Sequence, residues 1–596
     1  MKQILLFCFL FIGSLYAQEY EVTGKVTDVF NEPLLGASVL IKGTTQGVTT
    51  DFDGKYTIKV KNGDILEFSF IGMKIKQVKV SGQKIINVVL EEDNVALQEV
   101  VVTTGYVGKR NRKKDKQKKA VAYSIYEESR ETYKAIDESG FKSTAKDPVT
   151  TFSADVDKAS YSNVRRMINY GQKPDEDAVR IEELINYFDY NYTPPSEGSK
   201  TPLNATTTLS SCPWNPDNYL LRIGLQAKKI DLAKAPPSNI VFLIDTSGSM
   251  DSPNKMPLLK ASFKLLLDNL RPEDRVAIVV YASQTGIALP SISAKEKEKI
   301  SKVIDDLVAS GSTAGGAGLQ TAYKVAKKNF LPKGNNRIIL ATDGDFNVGI
   351  SSRDELQRLV EEERNKGIYI SVLGYGMGNY RDDMAETIAD KGNGNYAYID
   401  NLTEAKRVLV NEFGGTFYTV AKDVKLQLEF NPQYVKEYRL VGYENRALAN
   451  EDFEDDKKDA GEIGAGHTVT ALYELVPAKG ATTDGLRYQK QVEKGFTNEL
   501  AFLKIRYKDP MVKDAKSVEE STPISFTLTD LAKTDDDYRF AAAVAEWGML
   551  LRDSKYKAKS SYKQVIDLAK NATGKDEEGY RKEFIRLVEL SEKIKK

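Results

Sequence analysis

The fold is decided by residues 239–250, which read Asn-Ile-Val-Phe-Leu-Ile-Asp-Thr-Ser-Gly-Ser-Met. The apolar, β-branched half of this stretch has the length of a strand buried on both faces of a sheet. It ends abruptly in Asp-x-Ser-x-Ser, and open α/β sheets form their ligand crevice at the carboxyl ends of their strands. The stretch therefore predicts a crevice lined by Asp245, Ser247 and Ser249.

The candidate ligands in this crevice are hard oxygens. One carboxylate and two hydroxyls follow the strand, and neither cysteine nor histidine lies nearby in the sequence. Such donors suit Mg²⁺ or Ca²⁺ rather than zinc. The alternative at this point is a polar strand-to-helix turn with a serine cap, which needs no metal.

Two later segments carry further polar residues. Gly311-Ser312-Thr313 precedes an alanine-rich helical stretch, and the strand-like run Arg337–Thr342 ends in Asp343-Gly344. Asp-x-Ser-x-Ser, a later Gly-x-Thr and a Thr-Asp-Gly strand end together resemble the von Willebrand factor A domain and its metal-ion-dependent adhesion site. The positions that match this site are Asp245, Ser247, Ser249, Thr313 and Asp343.

The resemblance implies a binding function. In that family the hydroxyls touch a divalent cation, here Mg²⁺ (or Mn²⁺ or Ca²⁺), and the two aspartates act largely through water. An open coordination position accepts a carboxylate, so the expected partner is a protein that presents an acidic residue. The partner's identity stays open.

The residues around the motif predict a Rossmann-like domain at 237–416 (the A domain). Leu259, Phe263, Leu266, Leu267 and Leu270 recur on one face of a helix. Strand and helix patterns then alternate, which indicates parallel βαβ units. The predicted elements are a strand at 275–282, helices at 295–307 and 319–328, the strand ending at Thr342, a helix at 355–366, a strand at 368–373, a helix at 384–391, a strand at 396–399 and a helix at 403–413.

Composition limits the classes of protein that this chain can be. Its 596 residues are too many to pack around one hydrophobic core, so we expect several domains. Lys and Arg number 85 against 85 Asp and Glu, and this balance gives no support for nucleic-acid binding.

The first residues resemble an export signal. Lys2 precedes an apolar run, and small residues lead to Ala17, which predicts a signal peptide at 1–17 and a location in the periplasm or the outer-membrane-associated cell envelope. Cleavage there would leave Cys212 as the remaining cysteine, which we expect to be a buried small hydrophobe.

Residues 19–93 predict a separate β-sandwich. Short alternating strands are separated by turns such as Asp53-Gly54 and Asn62-Gly63. The stretches around Val22–Val26, Pro33–Ala37 and Thr50–Tyr56 are similar to the carboxypeptidase regulatory-like domain. Such domains also precede the plug of TonB-dependent receptors in Bacteroidetes, but no long series of barrel strands follows here.

A basic linker is predicted next, at 94–147. Residues 109–119 contain eight basic residues and one acidic residue. The favoured interpretation is a solvated, disordered segment. The alternative is contact with an anionic envelope or membrane surface.

Flanking regions complete the prediction of a multidomain α/β plus β protein. We expect an N-terminal flank of the A domain at 148–236, a β-sandwich-like domain at 417–530 that a strand at 212–226 can join, and a helical region at 531–596. Residues 151–157 (Thr-Phe-Ser-Ala-Asp-Val-Asp) lead into helical stretches at 161–170 and 179–188. With the C-terminal flank, this pattern resembles the YfbK-like bacterial von Willebrand A proteins over roughly residues 145–596.

An enzyme is not expected. His467 is the one histidine, and we expect it to be packed and hydrogen-bonded rather than catalytic. Neither serine of the motif lies in a Gly-x-Ser-x-Gly elbow. Two classes of function remain: a metal-dependent protein-binding or adhesion module of the bacterial cell envelope, and a structural envelope scaffold whose metal site is incidental.

Overall fold

The computed structural model describes residues 20–27, 34, 37–42, 47–50, 54–70, 73–74, 76–91, 131–154, 156–196, 198–252, 254–283, 285–311, 315–344, 353–377, 380–478, 498–510, 512 and 515–594. The predicted signal peptide, residues 109–119 and Thr313 lie outside these ranges. The chain divides into two compact units, residues 1–106 and 107–596.

The N-terminal unit is a β-sandwich, as predicted. Its strands are β1 (Tyr20–Thr27), β2 (Ser38–Ile41), β3 (Gly47–Thr49), β4 (Lys55–Val60), β5 (Ile65–Ser69), β6 (Lys76–Lys79) and β7 (Val88–Val89). One sheet has the order β4-β1-β7 and the other β3-β2-β5-β6. Alternate residues of β4 are buried, and they pack in a core that includes Val39 and Phe68.

The segment before the A domain contributes both strands and helices. These are β8 (Lys142–Ser143), β9 (Val149–Ser153), α1 (Ala159–Asn169), α2 (Ile181–Asn186), β10 (Leu203–Ser211) and β11 (Tyr219–Ala227).

The A domain has the predicted Rossmann-like fold. Its strands are β12 (Ser238–Asp245), β13 (Arg275–Tyr281), β14 (Thr285–Ser293), β15 (Asn335–Thr342), β16 (Ile368–Tyr375) and β17 (Tyr396–Ile399). Its helices are α3 (Met256–Asn269), α4 (Lys297–Asp305), α5 (Gly315–Lys328), α6 (Arg353–Asn365), α7 (Asp382–Lys391), α8 (Leu402–Lys406) and α9 (Phe413–Phe417). The strand order is β14-β13-β12-β15-β16-β17.

The continuous apolar run of β12 is explained by helices on both faces of the sheet. Phe242 packs on one face in a core with Phe263 of α3, and the two rings stack 4.3 Å apart. Val241 and Leu243 belong to the core on the other face, together with Leu319 of α5. Successive strand residues point to opposite faces, so both halves of the pattern are buried.

Two features of the A domain depart from the prediction. Strand β14 pairs antiparallel with β13 and was not predicted, because this partly exposed edge strand lacks a sustained apolar pattern and contains Pro290. The last predicted helix is divided into α8 and α9 by a π-helical turn at Arg407–Asn411.

The β-sandwich beside the A domain is built from both flanks. The later strands are β18 (Thr419–Phe430), β19 (Val435–Leu440), β20 (Ala447–Leu448), β21 (Gly461–Gly464), β22 (Thr468–Pro477), β23 (Glu499–Lys508), β24 (Val518–Ser525) and β25 (Leu528–Thr529). One sheet has the order β25-β10-β11-β22-β19-β8, and the other β20-β9-β18-β23-β24 with β21 on β18. The A domain is therefore inserted between two parts of this sandwich. Strand β11 joins β22, as predicted for a strand at 212–226, but the predicted division into 148–236 and 417–530 also separates β9 from its partner β18.

The predicted linker extended too far. Residues 131–147 are ordered against the second unit: β8 pairs with β19, Glu131 forms an ion pair with Arg166, and the Phe141 ring packs edge-on against Tyr556. The prediction of disorder rested on composition alone. It was wrong for residues 131–147 because the residues that anchor them are distant in the sequence.

The C-terminal region is helical, as predicted. Helices α10 (Asp536–Leu551), α11 (Tyr562–Lys570) and α12 (Tyr580–Ile594) share a core with α1 and α2. Cys212 is buried in this core. Within the described ranges, every helix is too short or too polar to cross a membrane.

Candidate metal centre

The parallel sheet brings the two candidate aspartates together at the carboxyl ends of neighbouring strands. Strands β12 and β15 are hydrogen-bonded neighbours, with Ile244 opposite Ala341. Asp245 ends β12, and Asp343 directly follows β15. Both residues are buried. The structure therefore places the two carboxylates beside each other at the carboxyl edge that the sequence predicted.

The loop after β12 turns the serines toward Asp245. The backbone N–H of Ser247 donates to Asp245 Oδ1 at 2.8 Å, and the hydroxyl oxygens of Ser247 and Ser249 lie 3.0 Å apart. A short 3₁₀ helix then begins at Gly248. Ser247 is buried while Ser249 is exposed, so the three predicted side chains run from the interior to the surface.

The loop that leads to Thr313 is fastened to the same crevice. Ser310 N–H donates to the carbonyl of Thr246 at 2.7 Å, and Gly248 N–H donates to the carbonyl of Gly311 at 2.9 Å. Gly311 has a φ of +84°, and a Cβ there would lie 2.4 Å from Ser283 Oγ. These bonds hold the chain at the crevice two residues before Thr313, which itself lies outside the described residues.

Asp245 is in an environment that a cation would stabilise. Among the described residues, none donates a hydrogen bond of ordinary geometry to its buried Oδ2. Burial raises the pKa of Asp245 to about 6, and the charge of Asp343 adds to the rise while Ser247 and Tyr281 oppose it. Two adjacent buried carboxylates and two hydroxyls fit a hard divalent cation.

Lys255 is a charged residue of the centre that sequence analysis missed. Its Nζ lies 2.9 Å from Asp343 Oδ2, and its side chain is 9% exposed. It directly precedes α3 as the N-cap residue and makes no capping bond with its side chain. A lysine at a helix N-terminus is opposed by the helix dipole, and this anomaly was the available sequence signal.

The candidate centre combines two carboxylates with hydroxyls and contains no larger cluster of carboxylates among the described residues. In the part of the chain that the structure describes, no group of three or more His, Cys, Asp or Glu residues is arranged to hold a metal. His467 lies in the sandwich, packed against Gly415. Burial lowers its pKa to about 4, and within the described residues neither ring nitrogen has a hydrogen-bond partner, contrary to the hydrogen-bonded histidine that we expected.

Family models match most of the chain. They are CarboxypepD_reg-like domain at 22–102, von Willebrand factor at 127–222, von Willebrand factor type A domain at 239–411, and Uncharacterized protein YfbK, C-terminal, at 415–594. The chain is 46% identical over 485 residues to Uncharacterized protein YfbK of Escherichia coli (strain K12), a match that covers 80% of this chain and 84% of that protein. The chain belongs to the YfbK family.

Other relatives match shorter parts of the chain. The chain is 46% identical over 87 residues to TonB-dependent receptor SusC of Bacteroides thetaiotaomicron, covering 15% of this chain and 8% of that protein. A solved structure, von Willebrand factor type A from Catenulispora acidiphila, covers 64% of this chain and 89% of its own at 16% identity and a TM-score of 0.38. The type A domain supports protein interaction or adhesion as the class of function.

Proposed function

We propose that this YfbK-family protein is a metal-dependent protein-binding or adhesion module of the bacterial cell envelope. Asp245, Ser247, Ser249, Thr313 and Asp343 would hold Mg²⁺, Mn²⁺ or Ca²⁺. The bound cation would supply an electrophilic position that captures a carboxylate of a partner protein. Nothing in this arrangement requires catalysis, and we propose no enzymatic activity.

One observation carries this proposal. Asp245 is 0% exposed, yet none of the described residues donates a hydrogen bond of ordinary geometry to its Oδ2. Leaving a buried carboxylate oxygen without a partner costs about 1–3 kcal/mol or more, so this oxygen, beside Asp343 and the serine hydroxyls, supports a cation bound there. The neighbouring serine hydroxyls are neutral donors, and they would leave much of the positive charge of the cation available to a partner.

An envelope location is part of the proposal. It is supported by the signal-like residues 1–17 and by the similarity of part of the chain to a TonB-dependent receptor. The basic residues 109–119 would add contact with an anionic envelope surface through charge attraction. Nucleic acid is not proposed as a partner.

Calorimetric titration of Mg²⁺ and Mn²⁺ into the purified chain tests the metal site. We expect saturable binding by the wild type and its loss in Asp245→Asn. The matched control is Asp251→Asn, the same change at an exposed residue of the adjoining 3₁₀ turn, which should bind normally. Equal binding by all three proteins would place the metal elsewhere.

Partner capture requires a second comparison. Envelope proteins would be retained on immobilised wild type, Asp245→Asn and Thr313→Ala, each in Mg²⁺ and in chelator. We expect retention by the wild type in Mg²⁺, with loss in chelator and in both variants. The same protein retained equally in all six conditions would overturn metal-dependent capture.

The second candidate function is a structural scaffold with an incidental metal site. The ion pair between Lys255 and Asp343 favours it, since the chain already supplies a cation to one of the two carboxylates. A scaffold predicts no saturable metal binding by the wild type in the titration above, which separates the two functions.

A further inference from the structure

Lys255 lies beside the candidate metal centre and carries positive charge to one of its carboxylates. The Nζ–Oδ2 distance to Asp343 is 2.9 Å, and the side chains are 9% and 0% exposed. A lysine ammonium is a compact point charge that only donates hydrogen bonds. Asp343 is therefore partly neutralised from within the chain, whereas Asp245 Oδ2 accepts no hydrogen bond of ordinary geometry from the described residues.

The neighbouring loop is shaped to hold the lysine in this place. Gly376 directly follows β16 with a φ of +82°, and a Cβ there would lie 2.2 Å from Lys255 Cε and 2.8 Å from its Cγ. The Tyr398 hydroxyl donates to the carbonyl of Gly376 and fixes the loop. The absence of a side chain at Gly376 thus gives the lysine stem its path to Asp343.

Local helix chemistry does not account for the position of Lys255. The residue precedes the fourteen-residue helix α3, whose N-terminus disfavours a positive charge. Burying an ammonium is costly unless an opposite charge compensates it. Asp343 supplies that charge, so the lysine is held by the crevice.

We infer that Lys255 competes with the divalent cation for Asp343 and thereby sets the metal affinity of the centre. This inference rests on the proposed metal site. An entering cation must share Asp343 with the ammonium or displace it, and repulsion between the two positive charges opposes binding. Occupancy of the centre, and with it partner capture, would then require a higher metal concentration than the oxygen donors alone would need.

The test compares the Mn²⁺ affinity of wild type, Lys255→Met and Lys260→Met by calorimetric titration of the full chain. Methionine keeps the length of the stem and removes the charge. Lys260 is the matched control, because it lies on α3 but donates to the carbonyl of Asp305 at the surface. We expect Lys255→Met to bind roughly tenfold more tightly or more, and Lys260→Met to bind like the wild type.

Thermal unfolding in chelator supplies a second readout. Lys255→Met should unfold at a lower temperature than the wild type, because Asp343 loses its cation, and Mn²⁺ should raise its unfolding temperature by more. Lys255→Gln, which is neutral but can still donate to Asp343, replaces the methionine variant if that variant does not fold. Folded variants that bind Mn²⁺ no more tightly than the wild type would overturn the competition.

The outcomes separate this inference from the proposed function. Binding by Lys255→Met but not by the wild type would support the competition, because the lysine then takes the place of the metal, but it would overturn the proposed metal-dependent function of the wild type. Equal binding by both refutes the competition and leaves the metal site standing. No binding by any folded variant refutes both.

Discussion

Two buried carboxylates, Asp245 at the metal centre and Glu404 at the contact between the A domain and the helices, have opposite surroundings. Burial acts to raise the pKa of Glu404, but Arg407 and Arg165 outweigh it and lower the pKa to about 2. Burial raises the pKa of Asp245 to about 6, and none of the causes that oppose the rise is a positive charge. A carboxylate saturated by arginines supports the fold, whereas a buried carboxylate that lacks a cation and lies beside a second carboxylate and two hydroxyls, as Asp245 does, is a candidate binding site.

The arginine cluster joins three parts of the second unit. Arg165 of α1 contacts Asp400 and Glu404 of the A domain and Glu583 of α12. The Tyr187 hydroxyl also donates to Glu404 at 2.8 Å. Because these partners come from distant segments, the cluster fixes the A domain on its flanks. The candidate metal centre lies elsewhere, at the carboxyl ends of the central strands β12 and β15.

The largest expected effect on stability is at Arg165, in the arginine cluster. Arg165→Met should lower the free energy of unfolding by about 3–5 kcal/mol, because it strands buried carboxylates without a cation. Denaturant unfolding followed by circular dichroism measures this loss. Lys302→Met, at an exposed ion pair with Asp306, should leave stability unchanged. An Arg165 variant as stable as this control would contradict a structural role for the cluster.

An intermediate effect of opposite sign is expected at Asp245. Its raised pKa means that the unfolded chain releases this proton first, so the native state loses stability as the pH rises from about 4 to 6. In chelator at pH 8, Asp245→Asn should therefore be more stable than the wild type by up to roughly 3 kcal/mol, and the gain should vanish near pH 4. Mg²⁺ should stabilise the wild type but not the variant.

Glu546 gives the matched control for this prediction. Burial in α10 raises its pKa to about 7, far in sequence from the metal centre. Glu546→Gln should also gain stability at pH 8, by a similar amount, yet keep the full response to Mg²⁺. Loss of the metal response in Glu546→Gln would mean that Mg²⁺ acts on the fold as a whole.

The smallest effect on stability is expected at Ser249. This side chain is exposed, so Ser249→Ala should change the free energy of unfolding by less than about 0.5 kcal/mol. The affinity of this variant for Mn²⁺ should nevertheless fall by about tenfold or more. Loss of a side chain that merely orients a metal ligand already costs that much, and Ser249 is proposed to be a ligand itself. Calorimetry and denaturant unfolding of one preparation provide both values. An unchanged affinity would remove Ser249 from the metal site.

Local pattern was sufficient to predict most elements of the A domain. Strand β12 and helix α3 were predicted because a strand buried on both faces is continuously apolar and a helix covering a sheet is apolar every three to four residues. Strand β14 was missed because an edge strand is held by backbone hydrogen bonds that leave little trace in its side chains.

By itself, the sequence determined the type of domain and the edge of the sheet where Asp245 and Asp343 meet, since a parallel strand order fixes where strands end. Only the tertiary structure decided that Lys255 reaches Asp343, that residues 131–147 are ordered, and that β9 and β18 pair across the inserted A domain. These contacts join residues that are distant in the chain, and their energies depend on burial and geometry, which no local pattern of residues specifies.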